Sequence, residues 1–451
     1  MRSGANHPGP AALSILAALV RREVMRPLFA VGFVLLAAAP ARALQPLEVF
    51  VAAAARHNPD ALESRANVEL QRAQAEVALG RVLPGLNARG SYTRNQYDSI
   101  IDLGPGQQVT VVPIQQLDAL AALTVPLFDA AGFRRVTAAR TSAKAADAQL
   151  AAVQLQVEAT VAQDYYQLVA NLALVTASQQ ALDASRENLR LATNRHQAGV
   201  APELDLDRAR ADLEQQNQQV SAAGLQLALS SRALESASGV APETAAAPTL
   251  DDDLHAEPQL DGAEAGLEKL PSVAAAVDLS KAAEQQAEAQ RLTWLPTVAG
   301  SLAERGTSAP GFTGHSFSWQ AVVALNWAVD FTTPAAIHAQ DAAFSAARAR
   351  EQRARLAARD GIHRQWETVG ANIARSRSAR AGRAAANRAA ESARDRYKAG
   401  AITQLELLQA QRDAFAAEVS RIQADADLVN ARAQLRLATG TSLLVSKGNA
   451  P

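Results

Sequence analysis

Two hydrophobic periods alternate along this chain. From Phe133 to Ala198 there is no Gly and no Pro, and Val161, Leu168, Val175, Leu182 and Leu189 recur every seven residues. After Ala198-Gly199 the same spacing resumes in Leu206, Leu213, Val220, Leu227 and Leu234, up to Gly239. A sustained seven-residue apolar repeat predicts helices packed side by side as in a coiled coil, and the Gly-marked break makes an antiparallel hairpin. A second hairpin breaks at Ala399-Gly400 and continues through Leu408, Phe415, Ile422 and Val429. Its descending arm is interrupted by Gly361, Gly370 and Gly382, so a continuous helix there is the weaker expectation.

Elsewhere the period drops to two. Phe317, Trp319, Ala321, Val323, Leu325, Trp327 and Val329 alternate with Ser318, Gln320, Val322, Ala324, Asn326, Ala328 and Asp330. Leu86, Ala88, Gly90 and Tyr92 alternate with Asn87, Arg89, Ser91 and Thr93, while Leu117–Val125 and Val298–Leu302 give weaker versions. Four strands of about ten residues are predicted, a pair ahead of each hairpin, with the two-faced pattern of a membrane β-barrel. Four strands cannot close such a barrel, because open sheet edges are not tolerated in lipid. The narrow-seamed hairpins make the same demand, so several chains must share one tube.

The chain is one unit written twice. Arg195–Gly239 aligns with Arg396–Gly440 at a fixed offset of 201, with twelve of 45 pairs identical. That offset also carries Asp129 onto Asp330 and Tyr165 onto Trp366. Earlier it becomes 212, pairing Leu83-Pro84 with Leu295-Pro296, so eleven extra residues lie in the first copy between the Leu-Pro pair and Asp129. Such repetition implies two structurally similar halves. The expected organisation is residues 44–239 as the first repeat, 240–266 as an acidic, Pro- and Gly-containing connector, 267–440 as the second repeat and 441–451 as a tail.

Residues 1–43 read as a secretory leader. Met25 opens a basic start, Leu28–Ala39 is an apolar run, and Ala41-Arg42-Ala43 precedes Leu44 as an A-x-A cleavage site. Met25 is a candidate translation start. No later segment has the length of uninterrupted apolar sequence that a transmembrane helix needs.

Composition sharpens this picture. The 451 residues are 48% hydrophobic but only 4% aromatic, and much of the hydrophobic fraction is alanine, which suits narrow helical walls better than globular cores. The net charge of −1 and the lack of a basic cluster argue against a nucleic-acid binder, which needs clustered excess Lys and Arg. Without the five Arg and one Glu of the leader, 39 basic and 44 acidic residues remain, a charge of −5. The absence of cysteine excludes disulfides, thiolate metal sites and a lipidated N-terminal Cys. Seven scattered His, with no H-E-x-x-H, G-x-G-x-x-G, P-loop or G-x-S-x-G, give no footing for an enzyme, and no cofactor is expected.

These residues resemble the TolC-type outer membrane efflux proteins. The likeness rests on RHQAGVAPELDLDRAR and RYKAGAITQLELLQAQRD, which match the family's repeated R-Y-x-A-G-x-x-x-x-L-[DE]-x-L-x-A segment. Further support comes from His57-Asn58-Pro59, the Leu-Pro before each first strand, Val125-Pro126-Leu127-Phe128-Asp129 and Leu437-Ala438-Thr439-Gly440. The resemblance implies a mainly α mixed membrane protein. Coiled-coil hairpins would form an α-barrel, and four strands per chain would join a trimeric twelve-stranded β-barrel. It implies a passive exit duct of a tripartite system in the outer membrane of a Gram-negative bacterium, extending into the periplasm. Its partners would be a periplasmic adaptor and an inner-membrane transporter of RND, MFS or ABC type, and the cargo is not encoded in any legible segment. The competing expectation is a periplasmic coiled-coil adaptor or structural protein without a barrel, although two hairpins, each preceded by strands, argue against it.

The resemblance also assigns positions. The tips Ala198, Gly199, Val200 and Ala201, and Ala399, Gly400, Ala401 and Ile402, would dock the adaptor; from conformation alone they are turns where a helix stops at Gly. Asp205 and Glu406, each six residues after a tip glycine, would line a periplasmic gate with Gln409. Six such carboxylates around a three-fold axis would favour cations, whereas the helix dipole alone would also explain an acid in a first turn. Gln409 and Ile402 stand where some relatives have another acid and a gate-bridging Arg. Tyr92, Trp319 and Trp327 are candidates for aromatic girdles at the membrane interfaces.

Overall fold

The computed structural model describes residues 44–444 except 246, 247, 249, 251 and 329. The leader, including Ala43 of its cleavage site, and the tail beyond 444 lie outside the described residues.

Each repeat runs short helix, strand pair, long helix, returning helix. In the first these are α2 (Pro59–Gly80), β1 (Gly85–Arg94), β4 (Gln115–Phe128), α3 (Ala130–Gln197) and α4 (Glu203–Ser238), preceded by α1 (Leu47–His57). The second gives α6 (Pro271–Arg291), β5 (Thr297–Thr307), β6 (Phe317–Asn326), α7 (Thr332–Lys398) and α8 (Gln404–Ala438). Between them the connector carries one short helix, α5 (Leu260–Glu264).

Local chemistry sets the boundaries. Asn58 caps α2 by accepting from the Asp60 N–H at 2.9 Å, with Pro59 at the first helical position where its missing N–H does no harm. Asp129 caps α3 by accepting from the Gly132 N–H at 2.7 Å. Glycine is required at 132, since a Cβ there would lie 2.1 Å from the Asp129 carboxylate and 2.9 Å from Val82. Asp330, the repeat partner of Asp129, accepts from the backbone N–H of Thr332 and Thr333 at 2.9 and 3.0 Å.

The 68 residues of α3 span roughly 100 Å at the α-helical rise. Its upper half meets α2 and α6 through Arg72–Asp147 (2.8 Å), Lys144–Asp278 (3.1 Å) and Arg134–Glu288. Its lower half meets α4 and α8 through Ser185–Asp212 (2.9 Å) and Asn188–Gln411. Thus α2 stacks above α4 and α6 above α8 beside one continuous helix, and α7 closes the row against α6 and α8. The seams are narrow and alanine-rich, with one thicker cluster at mid-length where Phe50 and Val51 of α1 meet Val161, Tyr165, Leu168 and Leu234. Burial there pushes the Tyr165 hydroxyl up to about 12.

Three expectations are corrected. The second descending helix, α7, is unbroken over 67 residues, because Gly361, Gly370 and Gly382 keep helical dihedrals and the buried seam of Ala347, Ile362, Val369, Ser376 and Tyr397 carries it through. The last strand ends at Asn326, which leaves Trp327 just beyond it. A further hairpin, β2 (Ser99–Asp102) and β3 (Gln108–Val112), rises from the β1–β4 loop. That loop holds twenty residues against nine between β5 and β6, which places the eleven-residue insertion of the first repeat.

The four long strands form one antiparallel sheet in the order β1-β4-β5-β6, leaving β1 and β6 as unpaired edges. Register alignment puts Leu86, Leu123, Leu302 and Ala321 in one row across it, and Asn87, Ala122, Ala303 and Gln320 in the next. Among the described residues no helix is long and apolar enough to cross a membrane.

Candidate functional site

Two regions hold the candidate positions: the sheet and the hairpin tips. In the sheet, alternation yields an apolar face of Leu86, Leu123, Leu302, Val323 and Leu325, and a polar face of Asn87, Arg89, Gln116, Asp118, Arg305 and Gln320. On the polar face Arg305 pairs with Asp118 at 3.3 Å, and Gln116 donates to Asp118 at 2.8 Å. Tyr92 and Trp319 share the apolar face near the end of the sheet that carries the loops, both largely exposed. Trp327 stands at the opposite end, where its indole N–H donates to the Trp294 carbonyl at 3.1 Å. The three aromatics therefore occupy both ends of the strand pattern rather than one row.

At the tips, both helices end in the same motif. Gly199 takes φ 73° and Gly400 φ 75°. The Gly199 N–H donates to the His196 carbonyl at 2.9 Å and the Val200 N–H to the Arg195 carbonyl at 3.0 Å. In the second copy Gly400 donates to Tyr397 at 3.0 Å and Ala401 to Arg396 at 2.8 Å. Crossed bonds around a left-handed residue are a Schellman turn, which explains why Ala-Gly stands at each break. Val200, Ala399, Gly400 and Ala401 are exposed, while Ile402 and Ala201 are half-buried.

The gate candidates divide. Glu406 and Gln409 come together on an exposed groove of about 610 Å³ between α7 and α8, floored by Gly382, Ala385, Ala386 and Ala389 and extended by Asp413. Glu406 also completes a capping box: its carboxylate accepts from the Thr403 N–H at 2.7 Å, while the Thr403 hydroxyl accepts from the Glu406 N–H at 3.3 Å. The backbone and side-chain bonds from Thr403 hold the Glu406 carboxyl below its ordinary range. Asp205 does not line that groove. It sits on the other hairpin, 3.6 Å from Arg208 in its own first turn.

Sequence reasoning missed the contact that joins the hairpins. The Arg195 guanidinium lies 4.8 Å above the Tyr397 ring and donates to the Tyr397 carbonyl at 2.8 Å. Burial pushes the Tyr397 hydroxyl up, with the Arg195 charge pulling it down and the Asp205 carboxylate adding to the rise. Nearly three turns higher, buried Asp212 of α4 accepts from Ser185 of α3 at 2.9 Å and from Arg412 of α8 at 3.1 Å. Arg195, Asp212 and Tyr397 were visible only as members of the repeated segments 195–239 and 396–440. The Thr403-x-x-Glu406 spacing was a legible capping-box signal.

In the connector, Asp252, Asp253 and His255 cluster closely enough to suggest metal ligands. Their cation is already supplied by Arg432, which pairs with Asp252 at 2.7 Å and with Glu257 and donates to the His255 carbonyl at 2.8 Å.

Comparison with known proteins follows this layout. A fusaric acid resistance protein, FusA, of Burkholderia cepacia is 28% identical over 176 residues, 39% of this chain and 33% of its own length. The chain thus matches about a third of that curated relative. The solved structure of CusC is 18% identical with a TM-score of 0.77, covering 88% of this chain and 92% of that one. The Campylobacter jejuni CmeC outer membrane channel is 18% identical with a TM-score of 0.74, covering 88% and 86%. These likenesses show the fold. The family described as outer membrane efflux protein matches residues 51–240 and 264–441, one segment for each repeat with the connector between. The chain belongs to the outer membrane efflux protein family.

Proposed function

We propose that the protein is the outer-membrane exit duct of a tripartite efflux or secretion system. In this reading three chains assemble. The edges β1 and β6 pair between neighbours to close a barrel, and the helical rows close into a tube across the periplasm. The observation that carries the reading is the sheet itself: four strands with one apolar and one polar face, both edges open, standing on helices too narrow to have a core of their own. No bond is broken in this function and no cofactor is used; an inner-membrane transporter of RND, MFS or ABC class supplies the energy and an adaptor docks on the two tips. Residues 1–43 serve as the export signal, cleaved between Ala43 and Leu44, and Tyr92, Trp319 and Trp327 mark the membrane interfaces. The partial likeness to a fusaric acid resistance protein makes fusaric acid the first cargo to assay.

Asp205 and Glu406, with Gln409, are the proposed entrance groups. The Glu406 groove is lined by α7 and α8 alone and holds Gln409 as well, whereas Asp205 sits on the other hairpin beside Arg208, which supports an entrance role for Glu406 more than for Asp205. The protein is expected in the outer-membrane fraction as a heat-modifiable band, and recovery in the soluble periplasm would overturn the duct. In planar bilayers, Asp205→Ala with Glu406→Ala is expected to raise conductance and reduce cation preference several-fold. Unchanged conductance and selectivity would remove these acids from the gate.

A further inference from the structure

The polar face of the sheet carries very little charge, and what it carries does not cancel. The strands β1, β4, β5 and β6 hold only Arg89, Arg94, Asp118, Glu304 and Arg305 as charged residues. Register puts Arg94 and Glu304 on the apolar face, in the rows of Gln115 and Trp319. The polar face keeps Arg89, Asp118 and Arg305, surrounded by short neutral side chains such as Asn87, Ser91 and Ser301.

One carboxylate stands between two guanidiniums. Arg89 and Arg305 share a row with Leu120 between them, and Asp118, two residues along β4, is diagonal to both and within reach of long side chains from either neighbour. Arg305 takes it, at 3.3 Å, and Gln116 donates to it at 2.8 Å. Arg89 is exposed and makes no ion pair among the described residues. A neighbouring strand cannot neutralise it either: β1 is an edge, and β6, the edge that would pair with it from the next chain, has no charged residue. The nearest acids after it in the first repeat, Asp98 and Asp102, lie beyond the end of β1 in the loop, where Asp102 accepts from the Gly104 N–H at 3.1 Å. One positive charge per chain is left over on this face.

Resting on the duct reading above, we infer that Arg89 is a specificity-determining residue: its three copies ring the outlet and favour anions, so the cargo class the outlet suits is small organic anions. In a barrel the polar face lines the lumen, and a ring of arginines in a water-filled pore with low-dielectric walls attracts anions and repels cations. Asp118 holds Arg305 as a neutral pair and so leaves Arg89 to set the sign. The proposed entrance acids act at the far end of the helices, and their contribution is the same in every strand variant, so differences between such variants report the outlet alone.

Reversal potentials of the purified full-length protein in planar bilayers, under gradients of potassium chloride and of potassium benzoate, test this. Arg89→Gln is expected to lower the anion-to-potassium permeability ratio several-fold for both salts, and Arg89→Lys to keep it. Asp118→Asn, which frees Arg305, should raise it. The shifts should be larger at 0.1 M than at 1 M salt, because the Debye length falls from about 10 to about 3 Å between them. An unchanged ratio in Arg89→Gln would overturn the inference. Where that variant gives no heat-modifiable band, Gln320→Glu decides in its place: it sets a carboxylate on the β6 edge facing Arg89 of the next chain and should lower the ratio in the same way. A fall for chloride with none for benzoate would overturn the cargo class. A wild-type protein that conducts nothing would instead defeat the duct reading on which all of this stands.

Discussion

Glu406 shows how a helix cap ties a titration to local stability. Its carboxylate closes a capping box with Thr403, and the bonds it accepts there hold its protonation below the ordinary 4.5 of a glutamate. A depressed carboxylate contributes stability that is present above its unfolded value and lost as pH falls through the folded one. Amide protection of a tip peptide spanning 401–408, taken relative to the intrinsic exchange rate at each pH, should therefore be high at neutral pH and fall as pH drops below about 4.5. Glu406→Gln keeps a side chain able to accept the Thr403 N–H but removes the titration, so it should abolish the acid step while leaving neutral-pH protection close to wild type. An acid step that survives in the variant would assign the change to another group. The heptad seam and the tip glycines were legible at this scale because each needs only local periodicity or a left-handed dihedral. The Arg195–Tyr397 contact was not, since it depends on how closely two hairpins 202 residues apart approach.

Among the elements, α7 is the instructive failure. Three glycines suggested breaks, but glycine lowers helix propensity without forbidding the conformation, and tertiary packing of one buried seam decides the outcome. Gly361 has nothing within 4 Å of where a Cβ would stand and no positive φ. Gly361→Ala should consequently stabilise the protein by about 0.5–1 kcal/mol through lost unfolded-state entropy, read as a higher melting temperature. A lower one would mean that a neighbouring copy needs the bare backbone there. The extra hairpin β2–β3 escaped prediction for a different reason. Strands of four and five residues carry too few alternations to register as a period, although the eleven-residue mismatch between repeats marked the place.

For the whole molecule, the decisive feature is a sheet that is complete in register and incomplete in number. Every residue of β6 is exposed, on both faces, as expected of an edge strand whose partner lies on another copy. If its faces are assigned as proposed, the two sides of this strand should answer differently to charge. Val323, 74% exposed on the apolar face, would meet hydrocarbon, where an arginine near the bilayer midplane is destabilising by about 2–4 kcal/mol. Gln320 is on the opposite face, in the row of Asn87 and, along that face, one row from Ser301, where the same charge would meet water. Val323→Arg should accordingly lower the denaturant midpoint of the heat-modifiable species and reduce its yield in the outer membrane, while Gln320→Arg should leave both near wild type and shift ion selectivity toward anions. Equal tolerance at the two positions would mean that neither face meets lipid, and the sheet would then have to be a soluble domain whose open edges are covered by protein.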